Sequence, residues 1–179
     1  LTDTITKSYD YYPCKEEFWE SFQYLYYTDD IYVGYRYFET IPGAKEYVRY
    51  PFGFGLSYTD FEISGRVCCE SEGKIVAVAT VKNIGDVAGK EVIQLYYSAP
   101  QGLLGKPARE LAAYKKTKLL SPGESETVVL SFDVNDMASF DDLGKIAKSA
   151  YVLEKGNYEF YLGTSVRNAQ KLEFEYEAK

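Results

Sequence analysis

Phe61-Glu62-Ile63-Ser64-Gly65-Arg66-Val67-Cys68-Cys69 and, after a short turn, Lys74-Ile75-Val76-Ala77-Val78-Ala79-Thr80-Val81-Lys82 decide the fold class of this chain. In the first run Phe61, Ile63, Val67 and Cys69 alternate with Glu62, Ser64, Arg66 and Glu70, the period of a strand with one dry and one wet face. It reads as a strand near a sheet edge. The second run is apolar on both parities, with Ile75, Ala77, Ala79 and Val81 set against Val76 and Val78. That predicts a central strand covered on both sides. Asn83-Ile84-Gly85-Asp86 then turns the chain.

Working outward, the theme repeats. Gly89 to Ser98 reads as a third strand and Glu110 to Leu119 as a fourth. Between them Ala99-Pro100-Gln101-Gly102-Leu103-Leu104-Gly105-Lys106-Pro107 has two prolines and two glycines, which predicts an irregular protrusion. Ser121-Pro122-Gly123-Glu124 is a turn, after which Val128, Leu130 and Phe132 alternate with polar neighbours. Ala150 to Leu153 is expected to pair with Tyr158 to Gly163 as a hairpin through Glu154-Lys155-Gly156-Asn157. Leu172, Phe174 and Tyr176 close the sheet. Seven or eight strands within about 120 residues predict an all-β fold, a fibronectin type III- or immunoglobulin-like β-sandwich over residues 58–179. Such a core offsets chain entropy without disulfides or metal.

Residues 1–57 are different: aromatic and without regular period, they form an irregular N-terminal extension. The chain has 19 tyrosines, and 12 of them crowd into the first sixty positions. Phe18, Trp19, Phe22, Leu25 and Tyr26 have near-helical spacing and suggest a short helix, but the segment cannot build a core alone. It ends in Tyr50-Pro51-Phe52-Gly53-Phe54-Gly55-Leu56-Ser57-Tyr58, a stiff aromatic clasp. Gly53 and Gly55 there permit backbone angles or close approaches that a Cβ would forbid.

This clasp, with Asp29-Asp30-Ile31-Tyr32-Val33-Gly34-Tyr35-Arg36-Tyr37 upstream, resembles the connector and C-terminal fibronectin type III-like domain of glycoside hydrolase family 3 β-glucosidases and β-xylosidases. Val81-Lys82-Asn83-Ile84-Gly85, Ala88-Gly89-Lys90-Glu91-Val92, Lys106-Pro107-Ala108-Arg109-Glu110-Leu111 and Ser121-Pro122-Gly123-Glu124-Ser125 carry the likeness through most of the chain. The resemblance implies a retaining glycosidase as parent, which needs two carboxyl groups about 5–5.5 Å apart. It also implies that both lie outside this chain. The family's nucleophile is an Asp typically next to Trp, whereas Trp19 is flanked by Phe18 and Glu20. Its acid/base Glu precedes the connector. The expected role is a non-catalytic module whose partners are the catalytic domains of the parent. Leu1, in place of Met, reads like the interior of a longer sequence.

Composition narrows the other classes. With 20 basic and 27 acidic residues the net charge is −7, which disfavours nucleic acid. No apolar run approaches a bilayer span of about 20 residues. Cys14, Cys68 and Cys69 are an odd number, two of them adjacent, so free thiols in a reducing cytoplasm are expected rather than a disulfide framework. Without His, zinc and the usual nucleophilic triad are not expected. Calcium on Asp133, Asn135, Asp136, Asp141 and Asp142 lacks the loop spacing, and no cofactor is expected. Glu16-Glu17, Asp29-Asp30 and Asp141-Asp142 read as solvated loop acids rather than catalytic pairs.

The candidate sites are therefore interfaces. Tyr32, Tyr35, Arg36, Tyr37, Tyr50, Phe52 and Phe54 suit a strap packed against a neighbouring domain, where ring faces also hold the guanidinium. Gln101, Leu103, Leu104 and Lys106 belong to a loop that would reach the active-site rim. The alternative is a carbohydrate-binding module using Tyr96, Tyr97, Tyr114, Tyr151 and Tyr161. Alone, the chain is expected to form a homodimer through its exposed strap or to leave residues 1–57 partly disordered.

Overall fold

The computed structural model describes residues 1–19 and 23–179. Two antiparallel sheets face each other, joined by the alternation read from the sequence. The three-stranded sheet is ordered β3 (Phe61–Ser71), β4 (Lys74–Asn83), β7 (Ser125–Asp133). The four-stranded sheet is ordered β11 (Gln170–Ala178), β10 (Gly156–Gly163), β5 (Val92–Ser98), β6 (Glu110–Lys116). Between them Ile75, Ala77, Ala79 and Val81 of β4 and Val128, Leu130 and Phe132 of β7 meet Ile93, Leu95, Tyr158, Phe160 and Leu162. The fold is the all-β sandwich expected.

Two small pairs complete the β structure. β1 (Ile5–Thr6) pairs with β2 (Val48–Tyr50), and β8 (Ser139–Asp141) with β9 (Ala150–Val152). The N-terminal segment also has 3₁₀ turns at Tyr9–Tyr11, Lys15–Trp19 and Ala44–Tyr47 and a short helix, α1 (Tyr35–Thr40). The helix suggested around Phe18 to Tyr26 falls partly on residues 20–22, outside the described residues; Lys15–Trp19 is 3₁₀.

Three expectations are corrected. β3 is an edge strand, but a bulge lies between Ser64 and Val67: Ser64 faces Thr80 and Val67 faces Val78, so one extra residue is inserted. Gly65, at φ +58°, makes that bulge possible. Beyond it the faces exchange, so Val67 is 60% exposed and Cys68 packs on the core. Burial there pushes the Cys68 thiol up to about 12. Second, β4 is central, yet Val76 and Val78 remain half-exposed on its outer face. The strand buried on both faces is β5, with Ile93 to Tyr97 all buried. Third, Ala150–Val152 does not form a hairpin with β10. It pairs with β8, while β10 lies between β5 and β11.

The turn after β4 is closed by one amide. Asn83, fully buried, accepts from the Thr59 hydroxyl at 2.6 Å and donates to the Val87 and Leu120 carbonyls, each at 2.8 Å. A buried amide with all its partners in place fixes a loop that propensity alone leaves loose.

Candidate functional site

The outer face of β5 explains where the aromatic segment goes. Tyr96, Val166 and Ala169 form an apolar cluster on that face, and Tyr35 and Phe52 close over it. The Tyr35 ring lies 4.7 Å from Phe52 and edge-on to Tyr96 at 6.2 Å. Its hydroxyl accepts the Leu111 N–H at 2.8 Å. One helical turn on, Thr40 Oγ1 accepts the Ala108 N–H at 2.7 Å. The segment thus supplies acceptors to the free edge of β6, which would otherwise present unpaired donors.

Charges reinforce the same seam. Arg36 Nη2 lies 3.2 Å from Glu110 Oε2, and Glu110 Oε1 accepts the Tyr97 hydroxyl at 3.1 Å. Glu39, buried, sits between Arg167 Nε at 2.8 Å and Lys45 Nζ at 3.3 Å. Phe52 offers its carbonyl to the Val166 N–H at 3.1 Å. A second apolar cluster, Phe38, Ala44 and Val48 with Tyr12, Tyr37 and Ile41, holds the segment together.

The named strap residues therefore divide. Tyr35, Arg36 and Phe52 face this chain's own sandwich, and Tyr37 packs within the segment, 5.2 Å from Phe38. Tyr50 pairs with Phe54 at 4.8 Å on the surface, and Tyr32 is half-buried beside Gly105.

In the loop 99–107, Leu104 and Lys106 are buried whereas Gln101 and Leu103 are exposed. Lys106 is 1% exposed; its ammonium donates to Ser139 Oγ and lies 3.5 Å from Glu154 Oε2. Glu154 Oε1 accepts the N–H groups of Leu103 at 2.7 Å and Leu104 at 3.3 Å. Sequence reasoning assigned Glu154 to a turn and missed this role, because Glu-Lys-Gly-Asn carries no signal of a partner 48 residues away.

Asp141 closes the next loop. Its carboxylate accepts the N–H groups of Gly144, Lys145, Ile146 and Ala147 at 2.7–3.0 Å. Those donors hold its pKa down to about 2. The acid is a loop clamp, and its lone pairs are engaged rather than free for proton transfer. Because the folded pKa lies below the ordinary value of 3.8, the clamp's contribution is full above that value and is lost as pH falls towards 2. Asp141→Asn is expected to speed amide exchange of residues 144–147 about tenfold at pH 7. Wild-type amides should hold down to about pH 4. Equal exchange in the two proteins would remove the clamp.

Of the tyrosines considered for sugar stacking, Tyr96 and Tyr97 are buried, and burial raises both hydroxyl pKa values. Arg109 lies 4.0 Å over the Tyr161 ring. Tyr114 and Tyr151 are exposed, but on different sheets. Among the described residues no group of His, Cys, Asp and Glu is placed to hold a metal ion, and no helix is long and apolar enough to cross a membrane.

Comparison with known proteins agrees with this geometry. The fibronectin type III-like domain family matches residues 91–166. β-Glucosidase A of Butyrivibrio fibrisolvens is 54% identical over 192 residues, covering 99% of this chain but 23% of that protein. The crystal structure of a β-glucosidase from Paenibacillus barengoltzii superposes with a TM-score of 0.89 at 47% identity, over 99% of this chain and 20% of that one. A GH3 β-glucosidase from Bifidobacterium adolescentis gives 0.83 at 29% identity, over 95% and 25%. The chain thus spans a quarter or less of each of these relatives. Residues 91–166 thus carry a fibronectin type III-like domain, and the chain as a whole is similar to one part of these longer β-glucosidases.

Proposed function

We propose that the chain is the non-catalytic structural module of a retaining β-glycosidase, with residues 58–179 as the sandwich and 1–57 as the strap that joins it to the catalytic domains. One observation carries this reading. The segment that matches β-glucosidases over nearly its whole length is a strap sewn to a sandwich, whose carboxylates serve ion pairs, caps and loop clamps. Hydrolysis with retention needs a separate carboxyl pair, supplied by the rest of the polypeptide. The loop 99–107, with Leu103 pointing to solvent, is the part that would reach the rim of the active site. Three thiols without a bridge suit a reducing compartment.

Deleting residues 58–179 from the full polypeptide is expected to lower its melting temperature by about 5 °C or more. The kcat of the fraction that remains folded should stay within about threefold of the parent. Thermal unfolding and active-site titration measure the two. Unchanged melting and expression would sink the structural role. A binding assay of the isolated chain with soluble β-glucan oligosaccharides checks the carbohydrate-binding alternative, which requires saturable binding lost in Tyr114→Ala or Tyr151→Ala.

A further inference from the structure

At one end of the sandwich the strap, the loop 99–107 and the loop after β8 enclose a groove of about 470 Å³. Ile31, Phe140 and Leu143 line it. Phe140 is 51% exposed, Leu143 72%, and Tyr151, edge-on to Phe140 at 5.3 Å, is 77% exposed. Apolar groups from segments more than a hundred residues apart thus converge on one concave face and have no cover. A scatter of single exposed side chains needs no explanation, but a convergent patch marks an interaction surface.

The walls of this groove are built to stay in place. Lys106, Ser139 and Glu154 tie the loop 99–107 to the β8–β9 region, and Asp141 clamps four amides of the following turn. Rigid walls lower the ordering cost of association. The rim has a definite sign. Asp30, Asp136 and Asp142 line it and, among the described residues, are in no ion pair, whereas Arg36 is taken up by Glu110. Lys145 is the other cation there. The exposed run Tyr24 to Tyr27 leads into the turn Asp29–Tyr32, of which Asp30, Ile31 and Tyr32 form one wall.

We propose that this loop end is the docking face for the remainder of the β-glucosidase polypeptide, and that the surface it receives sets apolar groups against Ile31, Phe140 and Leu143 and Lys or Arg against Asp30, Asp136 and Asp142. The inference rests on the module reading above. It adds the face and the chemistry of its partner. The occupant is within the same polypeptide because the relatives that match this chain are four to five times its length, at 23% and 20% coverage. The unpaired acidic side chains facing basic ones fix the register, and the exposed apolar side chains add affinity.

Hydroxyl-radical footprinting of the isolated chain and of the full polypeptide tests it. Oxidation of Phe140, Leu143 and Tyr151 is expected to fall at least about fivefold in the full polypeptide, while Tyr114 on β6 changes less than about twofold. Asp142→Lys should restore oxidation of Phe140 and Leu143 in the full polypeptide and leave the melting of the isolated chain unchanged. Protection at Leu56 and Tyr114 in place of the loop end would overturn the proposal, as would equal reactivity in both samples. Concentration-dependent protection of the isolated chain would overturn it in favour of a second copy. Should the deletion of residues 58–179 destabilise the full polypeptide while the loop end stays reactive, the module reading stands and this face falls.

Discussion

Truncating Glu154 to alanine is expected to lower the unfolding free energy by about 3–5 kcal/mol, the usual cost of stranding one member of a buried ion pair. Lys106 is 1% exposed and Glu154 6%. With the carboxylate gone, the Lys106 ammonium keeps only the Ser139 hydroxyl, and the Leu103 and Leu104 amides lose their acceptor. A buried charge without a counter-charge is worse than no charge at all. Lys106→Met combined with Glu154→Leu should therefore recover most of the loss, leaving about 1–2 kcal/mol for the two orphaned amides. Urea titration of the wild type, Lys106→Met, Glu154→Leu and the double variant gives the cycle, and a coupling energy above about 2 kcal/mol is expected. If Glu154→Ala costs less than about 1 kcal/mol, water reaches the pair and it does not hold the loop.

That pair also shows what pattern reading can and cannot find. β7 was legible because alternation over nine residues is a local signal, and its inward set falls where period two puts it; β4 was legible as a central strand from its apolar run, but not as one with a half-exposed outer face. The second half of β3 was not, since the bulge at Gly65 inserts one residue and reverses which side chains are dry. An isolated Gly in a strand was the available warning. Glu154-Lys155-Gly156-Asn157 looks like a hairpin turn by composition. Gly156 instead opens β10 at φ +138°, beneath Pro100, and Glu154 turns to a lysine in a distant loop. Neither contact has a signature in local sequence.

The strap gave the opposite result. Its aromatic content announced a surface to be covered, and the Tyr35 and Phe52 rings do cover one, on the outer face of this chain's own β5 and β10. Composition can report that rings need a partner; whether that partner is another domain or the next sheet depends on chain direction after α1. The exposed apolar residues of the proposed docking face are instead Ile31 in the turn before α1, Phe140 and Tyr151 on β8 and β9, and Leu143 in the loop between them. Of these, only Tyr151 was singled out beforehand, and for sugar stacking.

Gly53→Ala is expected to be the most damaging single methyl addition in the chain, at about 2–5 kcal/mol. Two costs combine. Gly53 adopts φ +85°, where a side chain is strained. A Cβ built there would also lie 2.7 Å from Ser165 Cα, 2.8 Å from the Thr164 carbonyl oxygen and 2.9 Å from Gln94 Nε2. Two of those three atoms are backbone and cannot rotate away. Gly123 separates the terms, because it has φ +80° with nothing within 4 Å of its Cβ position. Gly123→Ala should cost only the conformational part, about 1–2 kcal/mol. The difference between the two variants measures how tightly the clasp seats on the sandwich. Relief can come by lifting the clasp instead of unfolding the core, so amide exchange at Val166, whose N–H donates to the Phe52 carbonyl, must be followed alongside urea unfolding. Faster exchange there with an intact sandwich would show the strap detaching as a unit. Equal costs for the two alanines, with Val166 still protected, would mean that Gly53 does not approach the sandwich as closely as 2.7 Å in solution.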